Sequence, residues 1–155
     1  MSEHAYGVQV DWEARPGEPY VREARLSSPA DDLPEFTVVT PPQFSGGIPR
    51  QWSPEHLFVG AIAACYANTF LAVAQSSRLP LRGFTVEGLG KLGQVESEGG
   101  AQTRVTEVAL TLRVDAGEFG STIKKKAERV ALLAKKNCMI ANSTRSEVNL
   151  RVVVE

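Results

Sequence analysis

The alternation of apolar and polar residues predicts three short strands in the first third of the chain. Residues 6–12 alternate with the period of a half-buried strand. A Pro-Gly turn at residues 16–17 precedes a second candidate strand over residues 20–26, and a third covers residues 36–39. Residues 40–50 contain three prolines and two glycines, so we expect an ordered but irregular loop there.

A long apolar helix is predicted directly after this loop. Ser53 can cap its free N–H groups, Pro54 suits the first helical position, and the Glu55 carboxylate complements the helix dipole. Residues 57–74 are apolar on almost every face. A helix of this kind should lie in the middle of the protein or in a subunit interface.

The rest of the chain predicts a hairpin, a second helix and a closing strand. The hairpin strands lie within residues 84–114 and their loop at residues 96–100, a helical apolar stripe covers residues 123–134, and residues 148–154 alternate again. The order indicates one α+β domain over residues 1–155, with mainly antiparallel sheets, a long central helix and a second helix.

Composition and charge narrow the possible classes of protein. The chain has 155 residues, 43% of them hydrophobic, which is enough for a buried core. Its net charge of -1 does not favour a nucleic-acid partner. It has no unbroken run of 18 apolar residues and no secretory signal pattern, so we expect no membrane partner and a cytoplasmic location.

Two cysteines are the candidate chemistry. Cys65 lies within the long helix and Cys138 follows the second one, beside Lys135 and Lys136, whose charges would favour a thiolate. Their separation excludes a Cys-x-x-Cys motif, and two histidines are too few for a metal site, so we expect no metal and no other cofactor. The residues alone leave two alternatives open: buried core thiols, or a nucleophile with a resolving partner.

The sequence around the first cysteine resembles the OsmC / organic hydroperoxide resistance family. In that family a Gly-rich loop precedes a Ser/Thr/Asn-Pro-Glu-x-Leu segment, small helix residues and Ala-Ala-Cys. This chain has SGG at residues 45–47, SPEHL at residues 53–57 and AAC at residues 63–65. Cys138, followed by a small polar stretch, falls where the family has its second cysteine. The resemblance covers most of residues 6–155.

The resemblance implies the OsmC-like fold as an intertwined homodimer, and a cysteine-based peroxidase for organic hydroperoxides and, in some members, hydrogen peroxide. Cys65 would be the peroxidatic residue and Cys138 the resolving one. An external dithiol, of lipoyl type or a small thiol, would restore the pair. Glu55 matches the family's active-site glutamate. For the family's arginine, Arg15 matches one pattern and Arg50 is a looser candidate.

Helix geometry constrains the glutamate. Ten residues of regular helix separate two positions by about 15 Å of rise and about 280° of rotation, so Glu55 and Cys65 of one chain cannot touch. If both serve one site, Glu55 comes from a partner subunit or the helix breaks near Gly60. Glu55 could instead serve the helix dipole alone, and Arg15 could be a solvated turn residue.

Two other function classes stay open from the sequence. The fold could carry a non-catalytic binding or redox-sensing protein with structural thiols. It could also carry a one-cysteine peroxidase in which Cys138 is inert. Loss of two thiols per chain on exposure to hydroperoxide separates a two-cysteine cycle from a binder, whereas full multiple turnover by Cys138→Ser would favour the one-cysteine class.

Overall fold

The computed structural model describes residues 4–155, except for the side chains of residues 120 and 121. The chain divides into two compact units, Met1–Leu57 and Phe58–Glu155; the single domain predicted over residues 1–155 stays a prediction. The elements are β1 (Gln9–Asp11), β2 (Glu23–Ser28), β3 (Leu33–Val39), α1 (Pro54–Ser76), β4 (Gly83–Val95), β5 (Gln102–Asp115), α2 (Gly120–Asn137), α3 (Met139–Asn142) and β6 (Glu147–Val154).

The first unit contains the three predicted strands as one antiparallel sheet in the order β1-β2-β3. β1 is shorter than the alternating pattern indicated. The loop that follows β3 is ordered, and its backbone is tightly folded: a Cβ added to Gly47 would lie 2.2 Å from the Pro41 carbonyl oxygen. The loop ends where the Val39 N–H donates to the Trp52 carbonyl at 2.9 Å, which ties the start of α1 to β3.

Helix α1 begins where the sequence predicts. Ser53 is fully buried, and its hydroxyl accepts a long bond of 3.4 Å from the His56 N–H, as a capping residue does. The helix is continuous through Gly60 to Ser76. Its buried residues form one stripe, while other apolar positions are open, such as Leu71 at 50% exposure. The buried stripe consists of Ile62, Tyr66, Phe70 and Ala74.

The apolar character of α1 bears on the membrane prediction. By length and composition α1 is apolar enough to cross a membrane, and 22% of its most apolar 18-residue window is buried. The core helix of a water-soluble protein meets the same criterion, so the length of the apolar run decides nothing. The absence of a membrane partner therefore stays a prediction.

The second unit has a three-stranded sheet in the order β4-β5-β6 that contains one antiparallel and one parallel strand pair. β4 and β5 form the predicted antiparallel hairpin, but β6 pairs parallel to β5, with Leu110 opposite Leu150. The strands are parallel because the chain crosses over through α2 and α3 before it returns, as parallel neighbours require. The predicted α+β class with mainly antiparallel sheets is confirmed, since the pairs β1–β2, β2–β3 and β4–β5 are antiparallel and β5–β6 is parallel.

The core of the second unit lies between this sheet and the helices. One face of β5 is almost fully buried, and α2 contributes the apolar stripe that the sequence predicts. β4 approaches α1 closely, because a Cβ at Gly90 would lie 2.6 Å from a methyl group of Val59. The buried residues of β5 and α2 are Val108, Leu110, Leu112, Val114, Ile123, Ala127, Val130, Ala131 and Ala134.

Candidate active site

Both cysteines belong to the second unit and both are reduced. Cys65 lies in the middle of α1 and is half-buried, whereas Cys138 lies between α2 and α3 with 0% exposure. The Cys138 thiol faces α1, with Sγ 4.0 Å from the Ile62 carbonyl oxygen. The second helix has to end at Asn137 for this placement, because Cys138 adopts an extended backbone conformation.

The structure brings the two sulfur atoms together. The two cysteines are close enough for each to shift the pKa of the other, although 73 residues separate them in the sequence. Partial burial opposes ionisation of Cys65. The Ile140 N–H, the Cys138 thiol, the Thr69 hydroxyl and the Met139 N–H outweigh burial and hold the pKa of Cys65 below its ordinary value.

The second cysteine is shifted in the opposite direction. Burial raises the pKa of Cys138, and negative charge on Cys65 raises it further. The first proton therefore leaves Cys65, and the thiolate forms on the more exposed sulfur. A thiolate beside a protonated thiol can attack an electrophile and then be captured as a disulfide.

The donors around Cys65 differ from the sequence expectation in one respect. The groups that lower its pKa are backbone N–H groups, one hydroxyl and one thiol, all in the described part of residues 58–155. No arginine of the described chain is among them, and Lys135 and Lys136 are not either. Ionisation of Cys65 within one chain thus rests on neutral donors.

Glu55 lies in the first unit and lines a cavity of about 310 Å³. Its Oε2 atom is buried and has no hydrogen-bond partner among the described residues. Arg22 lines the same cavity, together with Thr40, Phe44 and Ser45. A buried carboxylate oxygen without a donor is costly, so this carboxylate is suited to a cationic or hydrogen-bonding partner.

The arginines named from the sequence lie elsewhere in the first unit. Arg15 forms an ion pair with Glu23 across the turn that joins β1 and β2. Arg50 occupies a turn with φ of +63°. Sequence reasoning missed Arg22, which directly precedes β2; its alternation with Ala24 and Leu26 gives no sign of a cavity, and only the fold places it beside Glu55.

The start of α1 contains a second polar contact. The Ser53 hydroxyl lies 2.8 Å from Nδ1 of His56, and the His56 ring packs edge-on against Trp52. Within residues 4–155, no group of three or more His, Cys, Asp or Glu side chains is arranged to hold a metal ion. The Ser53–His56 contact joins the capping residue to the first turn of α1.

These features define a paired-thiol site on an α+β fold, and comparison with known proteins identifies the family. The model of the OsmC-like protein family matches residues 46–153. The chain belongs to this family. No curated protein matches the chain significantly.

Solved structures agree with the family. An OsmC-like protein of unknown function from Vibrio cholerae is similar at 25% identity over 99% of this chain and 100% of that chain, with a TM-score of 0.84. An organic hydroperoxide resistance protein from Elizabethkingia anophelis has 24% identity over 99% of both chains and a TM-score of 0.73. The organic hydroperoxide resistance protein OhrB of Bacillus subtilis has 20% identity over 98% of both chains and a TM-score of 0.67. The last two likenesses establish the fold alone.

Proposed function

We propose that the protein is a thiol-dependent peroxidase that reduces organic hydroperoxides, with Cys65 as nucleophile and Cys138 as resolving cysteine. The observation that supports this most is that two reduced cysteines from different elements lie close enough to shift each other's pKa, in opposite directions. Membership of a family with organic hydroperoxide resistance proteins agrees with it.

The chemistry proceeds in two steps and balances. The Cys65 thiolate attacks the terminal peroxide oxygen, the O–O bond breaks, and the alkoxide takes up a proton to leave as an alcohol. Cys65 is now a sulfenic acid. The Cys138 sulfur attacks it, an S–S bond forms, the S–O bond breaks, and water leaves. An external dithiol then reduces the disulfide.

The carboxylate and an arginine complete the proposed site. Arg22 shares a cavity with Glu55, whereas Arg15 has its own carboxylate partner, so we take Arg22 as the guanidinium group. A guanidinium held by a carboxylate can donate to the peroxide oxygens. Because α1 is unbroken at Gly60, the Glu55 and Arg22 that serve Cys65 would come from a second copy of the chain.

A homodimer is therefore part of the proposal. The apolar residues of α1 outside the buried stripe support it, since Phe58 and Leu71 are 37% and 50% exposed. Exposed apolar surface on an otherwise regular core helix favours a subunit interface. Size-exclusion chromatography with light scattering tests it: a dimer near twice 16.8 kDa is expected, and a monomer contradicts it. The other expectations are a cytoplasmic location, no cofactor and no nucleic-acid partner.

Counting thiols tests the catalytic proposal. One equivalent of an alkyl hydroperoxide per chain should remove both thiols from the reduced protein, and dithiothreitol should restore both. In Cys65→Ser the remaining thiol, that of Cys138, should not be oxidised in the time that the unaltered protein loses both of its thiols. Cys138→Ser should form a Cys65 sulfenic acid without a disulfide. Loss of no thiol from the unaltered protein would contradict the proposal.

The preference for organic hydroperoxides is tested by rate. Phe44 lines the Glu55 cavity and offers apolar surface to an organic substrate. The second-order rate of Cys65 oxidation by an alkyl hydroperoxide should exceed that by hydrogen peroxide. Equal or reversed rates would remove the preference.

One observation favours a second candidate, a redox-sensing protein on the same fold. The groups of the described chain that lower the pKa of Cys65 are neutral donors, which suffice for a reactive thiol without a substrate-binding cation. In that case oxidation proceeds to a stable disulfide, and dithiol reductants do not support multiple turnovers. Sustained turnover with a dithiol distinguishes the peroxidase from the sensor.

A further inference from the structure

Thr69 contacts the nucleophile's residue in a way that the proposed chemistry does not yet use. It lies one helical turn beyond Cys65 on α1, and its Oγ1 donates to the Cys65 carbonyl oxygen at 2.8 Å. Side chains four residues apart on a helix are neighbours on one face. The Thr69 hydroxyl therefore bonds the Cys65 carbonyl from the helix face that also carries the Cys65 side chain.

The hydroxyl can leave the carbonyl at little cost. In a continuous helix the Cys65 carbonyl oxygen also accepts the backbone N–H of Thr69, so this oxygen keeps a donor when the hydroxyl turns away. A thiolate is a stronger acceptor than a carbonyl that already has a donor, because bonds to charged acceptors are stronger. The Thr69 hydroxyl should therefore donate to the Cys65 sulfur, instead of to the carbonyl oxygen, once the sulfur is charged.

We propose that Thr69 is a further residue of this site, whose hydroxyl turns from the Cys65 carbonyl to the Cys65 sulfur when the thiolate forms. The direction of the Cys65 pKa agrees, since Thr69 is among the groups that lower it. Participation in peroxide reduction rests on the function proposed above, whereas the effect on the thiolate does not.

The test measures alkylation of Cys65 and requires no peroxide. The reduced protein is treated with iodoacetamide between pH 5 and 10, and mass spectrometry of peptides gives the rate at Cys65 separately from that at buried Cys138. Thr69→Val removes the donor and keeps the shape, Thr69→Ser keeps the donor, and Thr69→Ala is a second variant without a donor. Ser76→Ala is the matched control, because Ser76 bonds the Val73 carbonyl at 3.0 Å farther along α1.

We expect Thr69→Val and Thr69→Ala to slow alkylation at pH 6 by about 3-fold to 10-fold. This range follows from losing one hydrogen bond to a charged group, reduced because a more basic thiolate is more nucleophilic. The midpoint of the profile should move to higher pH while the rate at pH 10 does not fall. Thr69→Ser and Ser76→Ala should match the unaltered protein.

Two results would overturn the proposal. One is an unchanged profile in both variants that lack the donor. The other is an equal loss in Thr69→Ser, which would mean that the hydroxyl is not the cause. A protein that passes this test but turns over no hydroperoxide would contradict the proposed function alone.

Discussion

Tyr66 follows the proposed nucleophile, Cys65, in sequence and provides a pH-dependence prediction with a defined sign. It is fully buried in the α1 stripe, and its hydroxyl makes a long bond of 3.3 Å to the Ala131 carbonyl. Burial, and to a smaller extent negative charge on Cys138, raises its pKa above the ordinary value. The folded chain therefore keeps this phenol protonated at pH values where the unfolded chain ionises it.

The sign and size of the effect on the free energy of unfolding follow from the difference in pKa between the folded and unfolded chain. A raised folded pKa contributes stability that is fully present below the unfolded pKa, about 10, and is lost as the pH rises beyond it. While the folded phenol stays protonated, its share of the loss is about 0.4 kcal/mol at pH 10 and about 1.4 kcal/mol at pH 11. Tyr66→Phe removes this contribution and costs at most about 1 kcal/mol at neutral pH through the lost hydrogen bond.

Urea denaturation followed by far-UV circular dichroism measures the effect. The unaltered protein, Tyr66→Phe and Tyr20→Phe are compared at one protein concentration with reductant present, from pH 8 to 11. Tyr20 is 81% exposed and serves as the control. Between pH 8 and 11 Tyr66→Phe should lose about 1.4 kcal/mol less stability than the unaltered protein, and Tyr20→Phe should lose the same amount as the unaltered protein. An equal loss in all three proteins would refute the reasoning.

Three other predictions concern the first unit. Gly47→Ala should destabilise the protein by about 3 kcal/mol, measured by thermal denaturation, because the new Cβ meets the Pro41 backbone at 2.2 Å; an unchanged melting temperature would contradict this. Ser53→Ala should cost about 1 kcal/mol through the lost cap, read from the same melts, and no loss would mean that the cap is dispensable. Arg22→Lys should lower peroxidase activity about 10-fold or more while Arg15→Lys changes it little, in a coupled turnover assay; the reverse order would return the role to Arg15.

Much of the fold could be predicted because its signals are local. The serine cap, the proline at the first helical position and the proline-glycine loop each fix the backbone through their own chemistry, and α1 begins at the predicted residue. The direction of β6 could not be predicted. A strand that alternates apolar and polar residues has the same pattern in parallel and antiparallel pairing, and only the crossover through α2 decides.

The sequence likewise indicates some residues of the candidate site and not others. The cysteines stand out in the sequence as reactive residues, but their contact depends on α2 ending at Asn137 and turning Cys138 toward α1. Arg22 carries no local signal, and only the neighbours that folding supplies give it a role. Thr69 lies four residues after Cys65, so the predicted helix already places the two on one face. A threonine in a helix ordinarily bonds the carbonyl four residues before it, so this spacing alone does not show that its hydroxyl serves the sulfur.

The donors around Cys65 and the pair of Glu55 and Arg22 have different roles in the proposed site. The described groups that lower the pKa of Cys65 all belong to residues 58–155, and no guanidinium of the same chain is among them. The Glu55 carboxylate has a buried oxygen without a donor, and Arg22 lines the same cavity. The arginine is then available for the peroxide oxygens, where charge develops as the O–O bond breaks. Loss of Arg22 should therefore slow the reaction with hydroperoxide more than it slows the alkylation of Cys65, whereas loss of Thr69 should slow both.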